Sequence, residues 1–502
     1  MSSIRVTYSG LIAFVISILS VITGIIFTLI VTRRLQPEEF GVWSIVGSMT
    51  GYFLIAEPII SYWATRQIAR GESVGKTSLF GSMFFAIGSI PIYLFLTGFV
   101  SNLTPEFTSS LILGSILVPV IFVSQTLTGI NLGHKPHATS YGIMIFELIK
   151  IPFGLIFVLF MDLSLNGAIL ATFLAYVGKL IVQYYYAKEK LAEKFNMSYL
   201  LKWLKNSWIP IYGNLSHVIW GLDVLLFTII TGSVLGVAFY SVSLSLAAIV
   251  AHSVMISQAL YPKLLAKGGL NHINENFIRL LYFAIPLVGL VIVFSGPGLY
   301  ALNPKYLVAS QIVILLSLRA FFYVMSASFN QILIGMETID AGKNHTFHGL
   351  VKSKLFFIPT ITNIHSSLYI VILVLMLLLA GTSETEDIEF VNMWAWISFI
   401  LSVPFAIYSW LLVKKKIDFQ IPIKEISKYI LGSIILISTF YLTSDFFIRY
   451  QISIFDFLPG VVIEFLICAS SYLGFTYLVD KKTRVLLSAI LSELKLINIK
   501  RK

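Results

Sequence analysis

Seven charged residues lie inside long apolar stretches of the sequence, where an ionised side chain is costly unless it faces water or a partner. They are Glu57, Glu147, Lys150, Lys179, Asp223, Arg319 and Glu464. Within a membrane span, carboxylates bind protons or cations, and basic groups bind anionic substrates or pair with carboxylates. These residues are therefore the first candidates for function.

The basic candidates differ in the partners that the sequence offers them. Arg319 has no carboxylate within one helical turn, so we interpret it as a cation for the substrate or for another helix. Glu147 and Lys150 are three residues apart and can pair on one helix face, which leaves open a purely local ion pair. Lys179 lies near the inner end of its predicted helix, from which its long stem could instead reach the headgroups.

A polar and aromatic stripe marks one predicted helix in the middle of the chain. It contains Asn214, Ser216, His217, Trp220 and Asp223. Spacings of three and six residues keep the side chains within a broad arc, which suits a water-filled cavity better than lipid. Asp223 is either a coupling site for a proton or cation or a partner of Arg319. Asn330 and Gln331 follow Arg319 on its own helix and complete the predicted cavity residues.

Other motifs do not support a cofactor or a metal. The segment 71–77 has three residues between its glycines where a phosphate-binding loop needs four, and a membrane helix precedes it instead of a strand. The eight histidines do not show the spacing of metal ligands. We therefore expect no catalytic residues, no metal site and no cofactor. The buried carboxylates are compatible with a coupling ion, either a proton or Na⁺.

The composition requires a membrane protein, because 57% of the 502 residues are apolar, 12% are charged, and the mean hydropathy is +0.88. Apolar runs without period-two alternation indicate helices. We predict an all-α polytopic membrane protein of about 14 spans, which lie near residues 10–31, 40–63, 77–100, 108–130, 138–160, 164–187, 208–232, 235–260, 277–297, 306–334, 355–380, 390–413, 426–447 and 458–479.

The basic residues define the orientation of these spans. With the first span retained and the N-terminus inside, the inner segments contain 28 of the 35 Lys and Arg residues, and the outer loops contain four. Both termini are therefore predicted to be cytoplasmic. The basic loops and the net charge of +11 suit contact with anionic headgroups instead of nucleic acid.

An internal repeat divides the predicted spans into two sets. The segment TRRLQPEEFGVWS at 32–44 matches TGSVLGVAFYSVS at 231–243, and RQIARG at 66–71 matches KLLAKG at 263–268. We predict two pseudo-symmetric six-helix lobes around a central cavity, as in an alternating-access transporter. The predicted divisions are an N-terminal lobe at 1–190, a linker at 191–207, a C-terminal lobe at 208–413, two added spans within 414–479 and a basic tail at 480–502.

Several segments resemble polysaccharide (O-antigen, Wzx-type) flippases of the multidrug/oligosaccharidyl-lipid/polysaccharide (MOP) exporter superfamily. They are TRRLQPEEFGVWSIVG at 32–47 with Glu57 and RQIARG after it, GLDVLLFTIITGSVLGVAFYSVSLSL at 221–246 with Tyr261 and Pro262, and NPKYLVASQIVILLSL at 303–318. The resemblance covers most of residues 5–380. Where the family usually has Asp-Leu-Gly in the second span, this chain has Glu57, Pro58 and Ile59.

The resemblance implies a flippase that moves a polyprenyl-(pyro)phosphate-linked oligosaccharide from the cytoplasmic to the outer leaflet of a prokaryotic cell membrane. Arg319, with Lys150 or Lys179, would bind the carrier phosphate, and Glu57, Glu147 and Asp223 would couple transport to an ion. Two alternatives stay open: a cation-coupled multidrug exporter of the same superfamily, and a membrane-bound glycan polymerase or ligase. An enzyme would need a larger outer loop than the acidic segment 381–390. We expect a monomer whose partners are its lipid-linked substrate and the surrounding lipids.

Overall fold

The computed structural model describes residues 20, 23–69, 71–135, 137–257, 270–337, 352–380, 387–417, 419 and 421–485. Helices make up nearly all of this part of the chain, which contains no β-strand. A backbone in hydrocarbon must satisfy its own hydrogen bonds, and a helix does so within a single segment. The all-α polytopic fold predicted from the sequence is confirmed.

In the first half of the chain, the described residues form ten α-helices. They are α1 (23–34), α2 (Pro37–Phe53), α3 (Pro58–Ala69), α4 (Gly75–Ser101), α5 (Thr108–Gly114), α6 (Leu117–His134), α7 (His137–Gly154), α8 (Ser164–Leu191), α9 (Met197–Lys205) and α10 (Trp208–Thr231).

Eight more follow in the second half. They are α11 (Val234–Ala251), α12 (Leu270–Val293), α13 (Ser295–Leu302), α14 (Ser310–Gly335), α15 (Lys354–Ala380), α16 (Asp387–Ile417), α17 (Ile423–Phe447) and α18 (Ile454–Val479).

The predicted membrane spans agree with the helices of the structure. Among the described residues, 12 helices are long and apolar enough to cross a membrane, and a bent pair of helices, α2 and α3, makes a thirteenth span. Each lies within about six residues of a predicted span. The first predicted span, at 10–31, falls largely outside the described residues, as do the C-terminal tail beyond residue 485 and the repeat segment KLLAKG.

The two segments of the predicted repeat at 32–44 and 231–243 each contain a short connection between two helices. A two-residue connection joins α1 to α2 at Leu35 and Gln36, and another joins α10 to α11 at Gly232 and Ser233. Gly232 takes a left-handed conformation with φ of 71°, which glycine adopts without steric cost. Both connections are therefore two residues long, but at the spacing of 199 residues in the sequence match the second would lie two residues later in the chain. The division into two six-helix lobes stays a prediction.

The chain forms two compact units. The first comprises Met1–Ser241 and Pro359–Val391. In it α7 packs along α8, and α6 packs against α3, α4 and α8. Gly41 allows α2 to approach α11, since a Cβ atom there would lie 2.0 Å from the carbonyl oxygen of Val234. The interior of this unit also contains the fully buried Tyr93 and Trp203.

The second unit comprises Val242–Ile358 and Asn392–Lys502. The last two helices, α17 and α18, form a tight hairpin in it, because Gly460 lies directly against the carbonyl of Phe447. The hairpin packs on α12, where the hydroxyl of Tyr472 donates to the Tyr282 carbonyl at 2.8 Å. The two added spans are thus fixed to the rest of their unit by specific contacts.

One helix was not expected from the sequence. The linker predicted at 191–207 contains α9, which begins after Asn196, whose side chain accepts a hydrogen bond from the Ser198 amide. Leu200 and Trp203 lie on its inner face, and the Trp203 indole donates to Gln67 of α3. Their helical spacing is the sequence signal for this amphipathic helix.

Candidate functional site

Most of the predicted intramembrane charges lie near the middle of their helices. Counted from the helix end assigned to the cytoplasm, six of the seven lie 12 to 16 residues along: Glu57, Lys150, Lys179, Asp223, Arg319 and Glu464. At 1.5 Å per residue this is about 18–24 Å. Transporter sites are typically found near the bilayer midplane, which is the depth that these positions indicate.

Glu147 of α7 is held by α1 as well as by its neighbour on α7. Its carboxylate accepts hydrogen bonds from Ser20 at 2.9 Å and from Thr23 at 2.8 Å. The ammonium of Lys150 lies 2.8 Å from the same carboxylate, and both side chains are only 11% exposed. The predicted pair therefore forms, but it is part of a larger polar cluster that links α7 to α1.

Aromatic rings connect this pair to Lys179 of α8. The Lys150 ammonium lies 4.9 Å from the ring centre of Phe146, and that ring lies 4.6 Å from Tyr176. The Lys179 ammonium in turn lies 5.7 Å from the Tyr176 ring. None of the ion pairs in the described part of the chain involves Lys179. Two predicted cations thus share one aromatic surface between α7 and α8.

Lys179 lies deeper than its predicted position suggested. Helix α8 continues to Leu191, so Lys179 is twelve residues, or about 18 Å, from the cytoplasmic end of the helix. Both interpretations of Lys179, contact with headgroups and substrate binding, stay predictions. Near Lys150, Pro152 lies inside α7, and the helix then changes to a π-helix at Leu155–Phe160. Such π-segments are frequent at functional sites.

Glu57 lies where the second span breaks. Pro58 has no N–H to continue the helix, so α2 ends in the 3₁₀ turn Leu54–Ala56, and the span bends by 53° before α3. The carboxylate is 6% exposed and accepts hydrogen bonds from Ser61 at 2.8 Å and Thr126 at 3.2 Å. A carboxylate with hydroxyl partners at a helix break is suited to bind a proton or a small cation.

Asp223 joins α10 to α15. One carboxylate oxygen accepts from the amide of Val224 at 2.8 Å, and the other accepts from the Tyr369 hydroxyl at 2.7 Å. The side chain is only 4% exposed. Helix α2 meets α10 at the same level, because the hydroxyl of Tyr52 donates to the carbonyl of Gly221. The predicted coupling residue is therefore part of a junction of three helices.

The rest of the predicted stripe continues along α10 toward the cytoplasmic end. Trp220 stacks on Tyr369 with ring centres 4.0 Å apart, and it is half-buried. His217 is exposed, and Asn214 is half-buried with its amide donating to the carbonyl of Pro210. A histidine in the middle of a span is costly against lipid, and a cavity position for His217 stays a prediction.

The second unit contains the other predicted residues. Arg319 is half-buried on α14, and Asn330 and Gln331 are half-buried nearer the end of that helix. The side-chain oxygen of Gln331 is buried without a hydrogen-bond partner in the part of the chain that the structure describes. Glu464 of α18 is fully buried and accepts from Thr443 of α17 at 2.7 Å. It belongs to the hairpin of the two added spans.

The sequence did not reveal several partners of these residues. Ser20 and Thr23 bind Glu147, and His365 and Tyr369 lie on Trp220. Each partner comes from another helix more than 100 residues away along the chain. The polar positions in spans 1 and 11 were the available signal, but a single sequence does not pair them with Glu147 or with α10.

Metal ligands and the acidic segment 381–390 are the remaining features that the sequence raised. Among the described residues, no three His, Cys, Asp or Glu side chains form a group that could hold a metal ion. Asp387 and Glu389 of the acidic loop lie in the first turn of α16, where acidic side chains interact favourably with the helix dipole. Glu384 and Glu386 lie outside the described residues.

Solved transporter structures have the same fold as this chain. Lipid II flippase MurJ in an inward closed conformation matches with a TM-score of 0.68 and 16% identity, over 94% of this chain and 99% of that chain. An inward-facing multidrug resistance MATE family transporter of the MOP superfamily matches with a TM-score of 0.58 and 15% identity, over 79% and 95%. The Vibrio cholerae MATE transporter VcmN in the bent form matches with a TM-score of 0.51 and 13% identity, over 82% of this chain and 98% of that chain.

These similarities establish the fold. No model of a protein family matches the chain, and no curated protein sequence matches it. At 13% to 16% identity, the structural matches identify an architecture and not a substrate. The fold shared with these solved transporters agrees with the fold that the resemblance implies.

Proposed function

We propose that this protein is an alternating-access transporter that flips a polyprenyl-(pyro)phosphate-linked oligosaccharide from the cytoplasmic to the outer leaflet. The observation that supports this substrate class best is the extent of the structural match. The match to the lipid II flippase covers 94% of this chain, whereas the MATE matches cover 79% and 82%. A flippase therefore accounts for more of the chain than a multidrug transporter does.

The chemistry of the first unit suits a phosphate on a lipid carrier. Lys150 and Lys179 border one aromatic surface, and Lys179 is a cation without a carboxylate partner among the described ion pairs. A phosphate or pyrophosphate would supply the negative charge that this surface lacks. Arg319 is proposed as a further phosphate ligand, because a guanidinium ion binds phosphate in a bidentate manner.

We assign ion coupling to the three buried carboxylates of the first unit. Glu57 and Glu147 each accept hydrogen bonds from two hydroxyl groups, and Asp223 accepts one from a tyrosine. Buried carboxylates in a span change charge when they bind a proton or Na⁺, and the membrane potential acts on that charge. The cavity residues Asn214, His217, Trp220, Asn330 and Gln331 would contact the polar headgroup.

Cation-coupled multidrug export is the second candidate, because the MATE transporters share the fold. The two functions require different substrates, so one experiment can separate them. An enzyme is a weaker alternative, since the matched structures are transporters by their descriptions.

The test uses the full-length protein in phospholipid vesicles. The flippase probe is a polyprenyl diphosphate carrying a fluorescently labelled N-acetylglucosamine, and a membrane-impermeant quencher measures how much probe reaches the outer leaflet. The exporter probe is ethidium. We expect translocation of the lipid-linked sugar above that in protein-free vesicles, without ethidium transport. Ethidium transport without movement of the lipid-linked sugar would favour the exporter.

A matched pair of lysines tests the phosphate assignment. Lys179 and Lys188 both lie over a tyrosine three residues earlier on α8, at 5.7 Å and 4.7 Å from the ring centre. Lys188 is close to the end of the helix, and Lys179 is in its middle. Lys179→Ala is expected to reduce flipping about tenfold or more, because a charge-assisted hydrogen bond contributes about 1.5–3 kcal/mol. Lys188→Ala should retain flipping. Equal activities of the two variants would contradict the assignment.

A further inference from the structure

Three aromatic rings from α10 and α15 form a compact surface in the first unit. The indole of Trp220 stacks on the ring of Tyr369 at 4.0 Å, with 11° between the two ring planes. The imidazole of His365 meets the indole edge-on at 5.3 Å. Tyr369 is fully buried, while Trp220 and His365 keep part of their surface accessible. The surface therefore consists of a supported indole face with an imidazole at its border.

The position of this indole is determined by three helices. The hydroxyl of Tyr369 donates a hydrogen bond to the carboxylate of Asp223, with 2.7 Å between the oxygens. The backbone of α10 beside Trp220 is held by Tyr52 of α2, which donates to the carbonyl of Gly221. Packing of the two rings does not require a buried aspartate, and removing its carboxylate from water costs free energy. Such support is typical of a binding surface that must keep its geometry.

Polar side chains lead from the cytoplasmic end of α10 to this surface. Asn214, His217 and Trp220 follow at intervals of three residues, and His217 is exposed. Gly213, one turn before His217, is also exposed, and a Cβ atom there would meet nothing within 4 Å. The face of α10 that ends at Trp220 is thus open and hydrophilic, unlike a face that contacts lipid.

The seam between α10 and α15 also contains an acceptor that lacks a donor. The amide nitrogen of Asn363 donates to the carbonyl of Tyr212 at 3.3 Å, but its oxygen is buried without a partner among the described residues. Asn363 is 8% exposed and lies two residues before His365 on α15. Because an unsatisfied buried acceptor is costly, a hydroxyl from water or from a ligand is expected there.

We propose that Trp220 is the platform on which a pyranose ring of the substrate packs. A pyranose presents a face of C–H bonds, which fits an indole, and hydroxyl groups around its rim, which need the donors and acceptors of His365 and Asn363. This inference rests on the proposed flippase function and assigns it a substrate class: a headgroup with a hydroxyl-rich sugar such as a hexose or N-acetylhexosamine. Asp223 and Tyr369 act as positioning residues for the indole.

The sugar surface and the phosphate surface are formed by different helices. Trp220, His365 and Tyr369 belong to α10 and α15, whereas Lys150 and Lys179 belong to α7 and α8. A substitution at Trp220 should therefore weaken recognition of the sugar without weakening recognition of the diphosphate. This separation provides the test.

The experiment measures the affinity of the full-length protein in lipid nanodiscs for two probes. One is farnesyl diphosphate, and the other carries an N-acetylglucosamine on the same diphosphate. We expect the sugar to improve binding by wild type. Trp220→Ala should weaken the sugar-bearing probe about tenfold, which corresponds to about 1.4 kcal/mol, and leave farnesyl diphosphate unchanged. Lys179→Ala should weaken both probes.

Two controls establish that the effect belongs to the platform. Trp396→Ala removes an indole from α16 that is 44% exposed and should leave both affinities unchanged. Tyr369→Phe keeps the stack but removes the hydroxyl, so an intermediate loss for the sugar-bearing probe is expected.

The inference is overturned if Trp220→Ala weakens both probes equally or neither, or if the sugar adds nothing to binding by wild type. A wild type that binds neither probe and flips no lipid-linked sugar would instead refute the proposed function itself.

Discussion

Replacing Glu147 with Gln tests whether Lys150 is only a structural partner or also a substrate-binding cation. The two groups lie 2.8 Å apart in the middle of α7, and each side chain is 11% exposed. Without the carboxylate, the lysine ammonium stays in a poorly solvated position, where it loses its charge partner. The hydroxyls of Ser20 and Thr23 donate to different carboxylate oxygens, so the amide oxygen of Gln keeps one of these hydrogen bonds, and the other hydroxyl can accept from the amide N–H. The lost ion pair is therefore the main change.

The magnitude follows from the burial of the pair. Removing one member of a buried ion pair costs about 3–5 kcal/mol, whereas replacing both members by neutral groups of similar volume is often tolerated. Glu147→Gln combined with Lys150→Met should therefore be more stable than Glu147→Gln alone. The pair of Lys482 and Glu425 is the control, since it is equally close at 2.9 Å but 53% and 21% exposed. Breaking that pair should cost about 0.2–1 kcal/mol.

The assay compares thermal unfolding in detergent with flipping of the lipid-linked sugar in vesicles. We expect Glu147→Gln to lower the unfolding midpoint clearly and the double variant to recover most of it while remaining inactive. A double variant that recovers both stability and full flipping would show that the pair is structural only. A single variant as stable as wild type would refute the reasoning about burial.

Further predictions concern three sites elsewhere in the chain. Arg319→Ala is expected to lose most flipping, and full activity of this variant in the vesicle assay would remove Arg319 from the phosphate site. Glu57→Gln should abolish stimulation of flipping by a proton or Na⁺ gradient while binding of farnesyl diphosphate persists; unchanged stimulation would contradict a coupling role. Burial of Asp480 acts to raise the pKa of its carboxyl, but hydrogen bonds from Lys428 and Thr483 outweigh this effect, so the pKa lies below its ordinary value. Asp480 therefore stabilises the fold above the ordinary aspartate pKa, and this contribution is lost as the pH falls through the lowered pKa. Unfolding midpoints across acidic pH should fall less steeply for Asp480→Asn than for wild type, and parallel curves would contradict this.

The membrane spans could be predicted because their signal is local. A span needs about 20 consecutive apolar residues, and every described span corresponds to such a run. The break in the second span was missed, although Glu57 and Pro58 stand at it, because an apolar run across a proline still reads as one helix. Helix α9 was missed because a nine-residue amphipathic segment lacks the length of a span.

The sequence by itself determined that this is a many-helix membrane protein and which of its charges lie within the spans. These properties follow from composition and from runs of neighbouring residues. Only the tertiary structure decided what surrounds those charges: hydroxyl groups of α1 around Glu147, an aromatic row between Lys150 and Lys179, and Tyr369 beneath Trp220 beside Asp223. The physical reason is that these contacts join residues on different helices, from 30 positions apart for Phe146 and Tyr176 to 149 for Trp220 and Tyr369. They depend on how helices cross, and a hydrophobic run does not encode that crossing.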